Sequence, residues 1–494
     1  MTIHITNAIL NDWSLMVLYL IGIIIVIGTS ELTRKLFNWS PSTNRKIVHV
    51  LIGMIVSVSP LIFASNYPAI TLAIIFSIIN FIALRTGLMK GMHSISRKSY
   101  GTIYFPLAFL LLSIFWWNRP ITIVVAMSIM TFADTFAAVA GEKLHNVRNY
   151  VIWTDKKSIE GSIVMYLISF ILVFVITFFF SHYTNYMSAY PITSIIILAG
   201  LIAAVSTISE SISKYGSDNL TVPIISAIVF DQYFISIAYN VSFTLLMWSI
   251  ISLLLLWGAF KLKTLSIDGA VSAYLIGLII CGAGGLQWVL PLVAFFILSS
   301  LISKCRRKAV KKHSPRNIYQ VLANGGVPTI LALLHFYFQL PNVYVFYLGA
   351  IAAATADTWA TEIGFFSRKM PVNILTWKPV SRGDSGGITI LGTFGSFIGA
   401  TVIASSGLIF SLSASQFLIV TFAGFAGSLV DSVLGASIQG IFYCPVCYGM
   451  TEKRIHCHQE TELIRGQLWI DNNMVNLINT ISGVLITAIF IMLI

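Results

Sequence analysis

Carboxylates inside apolar segments are the first candidates for chemistry in this sequence. Asp134 and Asp357 each lie within a long apolar run, where an ionised carboxylate is costly unless it is paired or binds a metal ion. Further acids and amides accompany both, and their oxygens suit an Mg²⁺ ion that also holds nucleotide phosphates. We therefore prefer a metal site to the alternative, a helix-packing hydrogen bond. The predicted Mg²⁺ ligands are Asp134, Glu142, Asp218, Asp357, Glu362, Asp431 and Asp471.

Two loops rich in Gly, Ser and basic residues follow Asp134 and Asp357 along the chain, at 156–162 and 381–387. Backbone N–H groups and cations in such loops suit phosphate, although Gly and Ser also mark ordinary turns. Because the acids accompany both loops, we favour phosphate. The predicted phosphate- and nucleotide-contacting residues are Lys156, Lys157, Ser158, Gly161, Asn219, Arg382, Gly383, Ser385, Gly386 and Asn472.

Arg45 and His49 are four residues apart and share one face at the start of a predicted helix. Arg45 suits a phosphate, and His49 suits the removal of a proton from an alcohol. A polar contact at the helix end is an equal alternative for His49. The same spacing recurs at Arg316 and Gln320, and because Gln cannot act as a base, that place suits a substrate that is already an anion.

Arg316 also ends the most basic segment of the chain, 304–316. An anchor on anionic lipid is the favoured interpretation of this segment, and a place for Arg316 in a site is the alternative.

Three of the five cysteines lie close together near the end of the chain, with two histidines. Cys444 and Cys447 form a C-x-x-C pair, and His456, Cys457 and His458 follow at a spacing that suits zinc. The predicted zinc ligands are Cys444, Cys447, Cys457 and His458. Reduced thiols without a metal are an equal alternative, and a disulfide framework is disfavoured.

The candidate residues recur in the same order in two halves of the chain, which indicates an internal repeat. We place the boundary near Leu262 and predict domains at 1–261 and 262–494. The matched pairs are Arg45 with Arg316, Asp134 with Asp357, Glu210 with Asp431, and Asp218 with Asp471.

Composition shows what kind of molecule must position these residues. Of 494 residues, 57% are hydrophobic and 10% are charged, whereas soluble domains carry about 25% charged residues. Apolar runs predict an all-α, polytopic transmembrane helical bundle of about 15 or 16 spans in two related halves. The spans include 268–284 and 286–303 as separate helices, and a short piece at 219–230 before 233–257.

The charge distribution predicts the sidedness of the bundle. The net charge of +12 comes from basic residues in alternate loops, which the positive-inside rule places in the cytoplasm. Arg119 and Asp231 interrupt the otherwise nearly uncharged opposite set. We therefore expect contact with membrane lipids rather than nucleic acid, and sites that face the cytoplasm across a membrane, most simply a prokaryotic plasma membrane. The oligomeric state stays open.

Residues 31–257 resemble the phytol kinase and dolichol kinase family, which is related to the CDP-diacylglycerol synthases. The motifs that carry the resemblance are 45–49, 101–106, 133–137, 157–162 and 218–223. The resemblance implies phosphorylation of an isoprenoid alcohol with CTP. It also implies that Asp134, Lys157, Glu160, Asp218 and Asn219 act on nucleotide and Mg²⁺, with Arg45 and His49 near the acceptor.

Residues 262–494 resemble the phytyl-phosphate kinase family, long a domain of unknown function. The matching stretches are 320–326, 356–362, 383–387, 427–432 and 471–476, with Asp384 in place of an expected Thr. The resemblance implies conversion of an isoprenoid monophosphate to the diphosphate with CTP or another nucleoside triphosphate. The site residues it implies are Arg316, Asn324, Asp357, Glu362, Arg382, Asp431, Asp471 and Asn472.

Three alternatives remain beside a two-step isoprenoid kinase. A cytidylyltransferase that makes a CDP-lipid would use similar acids and the same metal, although the Pro-Gly-His-Gly-Gly motif of CDP-diacylglycerol synthases is missing from this sequence. A lipid transporter would suit the internal repeat, but it should place its polar residues near the bilayer midplane. A kinase whose second half is not catalytic is the third alternative.

Overall fold

The computed structural model describes residues 11–86, 99–144, 146–238, 242–309 and 315–493. It divides the chain into two compact units, Met1–Ser242 and Phe243–Ile494. The predicted boundary near Leu262 falls later, because the helix that begins at Ser242 belongs with the second unit. Ser249 and Tyr274, for example, hydrogen-bond through their side-chain oxygens over 2.7 Å.

The first unit is built from eight long helices and one short hairpin within the described residues. Helices α2, α5 and α8 carry Arg45, His49, Asp134, Asp218 and Asn219 of the candidate residues. The helices are α1 (Asp12–Phe37), α2 (Pro41–Val58), α3 (Tyr67–Thr86), α4 (Gly101–Phe115), α5 (Pro120–Lys143), α6 (Ile159–Tyr183), α7 (Ile192–Ser211) and α8 (Asp218–Ala238), and the strands are β1 (Asn149–Val151) and β2 (Lys156–Ser158).

The second unit adds seven long helices and several two- to four-residue strands in the described part of the chain. The helices are α9 (Ser242–Lys261), α10 (Ile267–Ala309), α11 (Ile318–Phe338), α12 (Val343–Gly364), α13 (Ile390–Leu408), α14 (Ala414–Ser437) and α15 (Asn472–Met492). The strands are β3 (Val372–Asn373), β4 (Gly387–Ile388), β5 (Ile441–Tyr443), β6 (Met450–Thr451), β7 (Ile455–His456), β8 (Gln459–Glu460) and β9 (Glu462–Arg465).

Among the described residues, 11 helices are long and apolar enough to cross a membrane, which confirms the multi-pass helical bundle. The number falls below the predicted 15 or 16 for three reasons. Helix α4 and the segment Leu246–Lys261 of α9 are shorter apolar helices, and α2 and α12 carry too many polar residues. Helix α10 contains both predicted spans, 268–284 and 286–303, and a non-helical glycine, Gly285, lies between them.

Arg119 and Asp231, expected as two separate charges of the outer loops, contact each other. Asp231 lies within α8, which is one continuous helix of 21 residues rather than a short piece at 219–230. Its carboxylate accepts hydrogen bonds from Arg119 Nη1 at 2.7 Å, Trp116 Nε1 at 2.7 Å and Thr122 Oγ1 at 2.6 Å. Because three donors surround the buried carboxylate, the helix can continue through it.

Close packing of small residues forms the core of the second unit around α12. This helix packs against α13, α14 and α15, and its alanine run from Ala352 to Ala354 is buried. A Cβ at Gly483 would lie 2.4 Å from the carbonyl oxygen of Gly349, so the two backbones meet directly. Small residues allow such approaches between membrane helices, and here they hold Asp357 on α12 opposite Asp431 on α14.

Candidate functional site

Three carboxylates converge in the first unit from three different helices. Asp134 lies in α5, directly after a π-helical turn at Ile129–Ala133, a feature that is frequent at functional sites. Glu210 lies at the end of α7, and Asp218 begins α8. One oxygen from each acid lies within 4.8 Å of the others. This donor set and spacing fit a divalent cation.

Lys157, from strand β2, contacts two of these acids. Its Nζ donates to Asp218 Oδ2 at 2.8 Å and also to Glu210 Oε1. Burial alone would lower the pKa of Lys157, but the charges of Asp218 and Glu210 raise it above its ordinary value, so the side chain is a cation at neutral pH. The other oxygen of Glu210, Oε2, is buried and has no hydrogen-bond partner among the described residues. Burial of a carboxylate oxygen without a partner costs free energy, and a cation bound at this oxygen would offset that cost.

Arg45, His49 and Asn219 lie where two cavities of the first unit meet. A polar cavity of about 430 Å³ contains the three acids and Lys157. An apolar pocket of about 150 Å³ is lined by aromatic and aliphatic side chains of α1 to α4, including Phe76 and Phe105. Both cavities are bounded by Arg45, His49 and Asn219. A molecule with an apolar body and a polar end would have its polar end at these three residues.

The π-helical turn also positions the imidazole of His49. Nε2 of His49 lies 3.1 Å from the carbonyl oxygen of Met130. A carbonyl oxygen only accepts, so Nε2 carries the proton in this hydrogen bond. The neutral ring then has Nδ1 as its acceptor.

Two acids predicted for the first site lie outside the cluster. Glu142 follows Asp134 by eight residues on the same helix, which is about 12 Å at 1.5 Å per residue. Its side chain is 57% exposed and forms an ion pair with Lys46. Glu160 accepts from the backbone N–H of Arg148 at 2.9 Å and from its Nε at 3.3 Å. The structure therefore places Glu210, rather than Glu142, with Asp134 and Asp218.

The loop residues predicted to contact phosphate have distinct positions. Lys156, Ser158 and Gly161 line the polar cavity with Lys157. Ser158 also caps α6 by accepting from the N–H of Gly161 at 3.1 Å. A Cβ at Gly161 would lie 3.0 Å from the carbonyl oxygen of Ala137, so glycine lets α6 begin close against α5.

Asp155 is a residue of this site that the sequence analysis did not single out. It is buried and accepts from Ser213 Oγ at 3.1 Å and from the backbone N–H groups of Tyr215 at 3.2 Å and Gly216 at 3.3 Å. It thereby holds the turn that leads into Asp218. In the sequence, its position directly before Lys156 and Lys157 is the feature that could have identified Asp155 as a site residue. Glu210 was visible as the repeat partner of Asp431 but not as a ligand.

The second unit has a polar cavity of about 350 Å³ at the repeated positions. Asp357 and Asp431 lie in it and are close enough to hydrogen-bond through their carboxyl groups. Within the described ranges Oδ2 of Asp431 is buried without a hydrogen-bond partner, as Oε2 of the repeat-matched Glu210 is. Two carboxyl groups in contact need a shared proton or a cation between them. The pair fits an ion that takes its remaining ligands from phosphate or water.

Arg316, Gln320 and Asn324 line this cavity and also an apolar pocket of about 120 Å³. Trp248, Leu255 and Phe295 are among the side chains of that pocket. The second unit thus repeats the arrangement of the first. In both units the pair spaced by four residues, Arg45 with His49 or Arg316 with Gln320, stands where the polar cavity meets the apolar pocket.

The loop 381–387 forms one wall of the second cavity. Gly383 and Gly386 have φ angles of 94° and 80°, a region that glycine adopts readily. Arg382 Nη2 donates to the carbonyl oxygen of Ser367 at 2.7 Å. Asp384, the departure from the family pattern, accepts from the N–H of Ser381 at 2.9 Å, so its carboxylate closes the turn of the loop itself.

Two acids predicted as metal ligands in the second unit have other partners. Glu362 is buried and accepts from Ser303 Oγ at 2.9 Å. Asp471 is exposed and caps α15 by accepting from the N–H of Met474 at 2.9 Å, whereas Asn472 lines the cavity. No three acids of the second unit converge within the described ranges. From the predicted set, Asp357, Glu362 and Asp431 line the cavity, and Asp357 and Asp431 are the two whose carboxyl groups lie close together.

The cysteines predicted as zinc ligands do come together, but with a different histidine. The side chains of Cys444, Cys447, His456 and Cys457 have ligand atoms within 4.8 Å of one another. Cys457 and His458 form the two-residue turn between β7 and β8, with φ angles of 49° and 63°. That turn leaves His458 outside the group and His456, on β7, within it.

Comparison with known proteins places the second unit in a family of membrane proteins. Residues 250–484 match the family described as integral membrane protein DUF92. The chain is 34% identical over 183 residues to an uncharacterized membrane protein of Methanocaldococcus jannaschii, covering 36% of this chain and 76% of that one. No solved structure matches the chain significantly.

Two further relatives are similar over comparable lengths. Protein PGR of Arabidopsis thaliana is 29% identical over 280 residues, which is 50% of this chain and 96% of that protein. A phytol kinase of Synechocystis is 28% identical over 206 residues, which is 41% of this chain and 84% of the kinase. With its apolar helices and the match over 250–484, the chain belongs to the integral membrane protein family DUF92.

Proposed function

We propose that the chain is a membrane lipid kinase with one active site in each unit. The first site would phosphorylate an isoprenoid alcohol, and the second would phosphorylate the resulting monophosphate to the diphosphate. One observation carries the proposal. In each unit a polar cavity with buried acids meets an apolar pocket at the same repeated pair of residues, Arg45 with His49 and Arg316 with Gln320.

The two kinds of cavity suit the two ends of an amphiphilic acceptor. Apolar pockets lined by aromatic and aliphatic side chains bind chains that have no hydrogen-bonding groups of their own. The polar end of such a chain would then lie at Arg45 or Arg316. Similarity to a protein named phytol kinase supports an isoprenoid alcohol as an acceptor.

The polar cavities suit the phosphates of a nucleoside triphosphate, for which the family resemblance implies CTP. In the first unit Asp134, Glu210 and Asp218 would hold Mg²⁺, and Lys157 would lie beside them. The ion would neutralise phosphate charge and orient the triphosphate. In the second unit Asp357 and Asp431 would hold the ion together with substrate oxygens.

The residues of the first unit suit a direct transfer. The alcohol oxygen forms a bond to the terminal phosphorus of the triphosphate, and the bond from that phosphorus to the bridging oxygen breaks, releasing the nucleoside diphosphate. The alcohol proton passes to Nδ1 of His49, whose Nε2–H donates to Met130. Arg45 stabilises the charge on the transferred group, so positioning and charge supply the catalysis and no covalent intermediate is needed.

Gln320 suits a different acceptor in the second unit. A lipid monophosphate is already ionised near neutral pH, so its oxygen needs no base. The amide of Gln320 can donate a hydrogen bond to that oxygen, and Arg316 can balance its charge. The departure from histidine at this place therefore supports a second step on the product of the first.

Product analysis tests the proposal. Purified full-length protein would be given Mg²⁺, radiolabelled geranylgeraniol or phytol, and CTP or ATP in separate reactions. We expect lipid monophosphate and diphosphate with release of nucleoside diphosphate. Release of pyrophosphate with a CDP-lipid would establish a cytidylyltransferase instead. Transport of lipid into vesicles without any phosphorylated product would support a transporter, and monophosphate alone would leave the second unit without kinase activity.

A further inference from the structure

The Cys/His group near the end of the chain has the shape of a closed metal site. Nδ1 of His456 lies 3.5 Å from Sγ of Cys447 and 3.3 Å from Sγ of Cys457. Bonds of about 2.3 Å to sulfur and 2.0–2.1 Å to nitrogen around a tetrahedral zinc ion place S and N about 3.5 Å apart. The two sulfur–nitrogen separations therefore match those that one zinc ion imposes, and all four ligand atoms lie within 4.8 Å of one another.

Two consecutive hairpins supply two ligands each. Strands β5 and β6 pair Tyr443 with Met450, and the turn between them carries Cys444 and Cys447. Strands β7 and β8 form the second hairpin, which carries His456 and Cys457.

We infer that Cys444, Cys447, His456 and Cys457 bind one structural Zn²⁺ ion. Four protein ligands leave no open position, which distinguishes a structural from a catalytic zinc site. Without a metal, three thiols would lie together beside an imidazole, and two of them, Cys447 and Cys457, are exposed. The two small hairpins have little core of their own, and a zinc ion would provide the missing cross-link.

The zinc-bound hairpins reach the second polar cavity. Glu452, directly after β6, accepts a hydrogen bond from Ser385 Oγ in the loop 381–387. Arg465, at the end of β9, donates to the carbonyl oxygen of Gly435 on α14 at 2.9 Å. Zinc would therefore fix one wall of the cavity that contains Asp357 and Asp431, without taking part in the reaction.

Metal analysis of the full chain tests this inference directly and does not depend on kinase activity. Protein freed of its affinity tag and purified under reducing conditions should contain about one zinc per chain. Growth with Co²⁺ should give the visible bands of a tetrahedral ion and the near-ultraviolet absorption of thiolate ligands. A chain that holds no zinc and gives no such bands with Co²⁺ would overturn the inference.

Paired variants test the ligand assignment. His456→Ala and Cys447→Ser should reduce the zinc content to near zero. His458→Ala and Cys305→Ser change the same residue types outside the group and should keep the ion. If a ligand variant is not recovered as folded protein, zinc removal from the wild-type chain by a chelator should expose the segment 441–465 to protease. Retention of zinc in folded His456→Ala, or its loss in His458→Ala, would contradict the assignment.

Discussion

At the scale of single residues, buried oxygens without hydrogen-bond partners indicate where a cation would bind. In the part of the chain that the structure describes, Oε2 of Glu210 and Oδ2 of Asp431 are buried without hydrogen-bond partners, and these two acids occupy matched places in the internal repeat. Lys157 balances part of the negative charge in the first unit. A divalent ion bound with phosphate would complete the balance, which makes Glu210 the most informative acid to change.

Glu210→Gln should lower phosphorylation of the alcohol by about 100-fold or more, as loss of a charge aligned with the transition state typically does. It should also raise the Mg²⁺ concentration that is needed for half-maximal activity. Initial rates across a Mg²⁺ series measure both effects. Glu142→Gln is the matched control, and loss of its exposed ion pair with Lys46 should change the rate by less than about fivefold. Equal losses in the two variants would exclude the metal role of Glu210.

His49→Gln converts the first site to the residue that the second site has at the matched position. Phosphorylation of the alcohol should fall by about 10²–10⁴-fold, the usual contribution of a general base. Phosphorylation of supplied lipid monophosphate should stay near the wild-type rate. Separate assays with each acceptor measure the two steps, and an unchanged rate on the alcohol would remove His49 from the chemistry.

Some of the predicted ligand residues could be named from sequence motifs. The positions of others along a helix or a hairpin turn explain why the sequence did not identify them correctly. Asp134, Lys157 and Asp218 lie in motifs, so they could be named directly. Glu142 shares a helix with Asp134 but is about 12 Å farther along it, which is too far for one ion. His458 was preferred to His456 because a left-handed hairpin turn cannot be inferred from the sequence around it.

At the scale of elements, loop 381–387 depends on one glycine for its contact with α14. A Cβ at Gly386 would lie 2.4 Å from Cβ of Ala436. Gly383 has a similar positive φ, but a Cβ there would meet nothing within 4 Å. Alanine substitutions at the two glycines therefore separate the effect of backbone strain from the effect of close packing.

Gly386→Ala should lower diphosphate formation from supplied monophosphate by at least about tenfold, because the loop must move away from α14 and a shift of about 1 Å in a positioning element costs this much or more. Gly383→Ala carries only the strain of its φ, about 1–2 kcal/mol, and should keep most of the activity. Rates of the second step in folded, monodisperse protein measure both. A larger loss in Gly383→Ala would contradict the packing explanation.

The helices themselves were largely predictable, since apolar runs of membrane length have few other structures available. The exceptions have physical causes. Asp231 was treated as a charge that ends a helix, but its three hydrogen-bond donors come from residues that are distant in the sequence. The π-helical turn before Asp134 leaves no comparable signal in the local sequence, because the side chain that hydrogen-bonds to its Met130 carbonyl oxygen is His49, which lies on another helix.

At the scale of the whole molecule, the two units have the same plan but different chemistry. The first gathers three acids within reach of one ion beside a lysine, whereas the cavity of the second places Asp357 and Asp431 beside a glycine-rich loop. The apolar pockets suit an acceptor that stays in the membrane between steps. A two-step kinase would then keep its monophosphate intermediate in the bilayer, with both sites using one nucleotide pool, which we expect to be cytoplasmic.

The most direct test of two separate active sites measures the products that wild-type protein and the Asp134→Asn and Asp357→Asn variants form from radiolabelled alcohol with CTP and Mg²⁺. Wild-type protein should form the diphosphate, and Asp357→Asn should accumulate the monophosphate. Asp134→Asn should leave the alcohol unchanged yet convert supplied monophosphate to diphosphate. Loss of both steps in either variant, in protein that remains folded, would contradict two separate active sites.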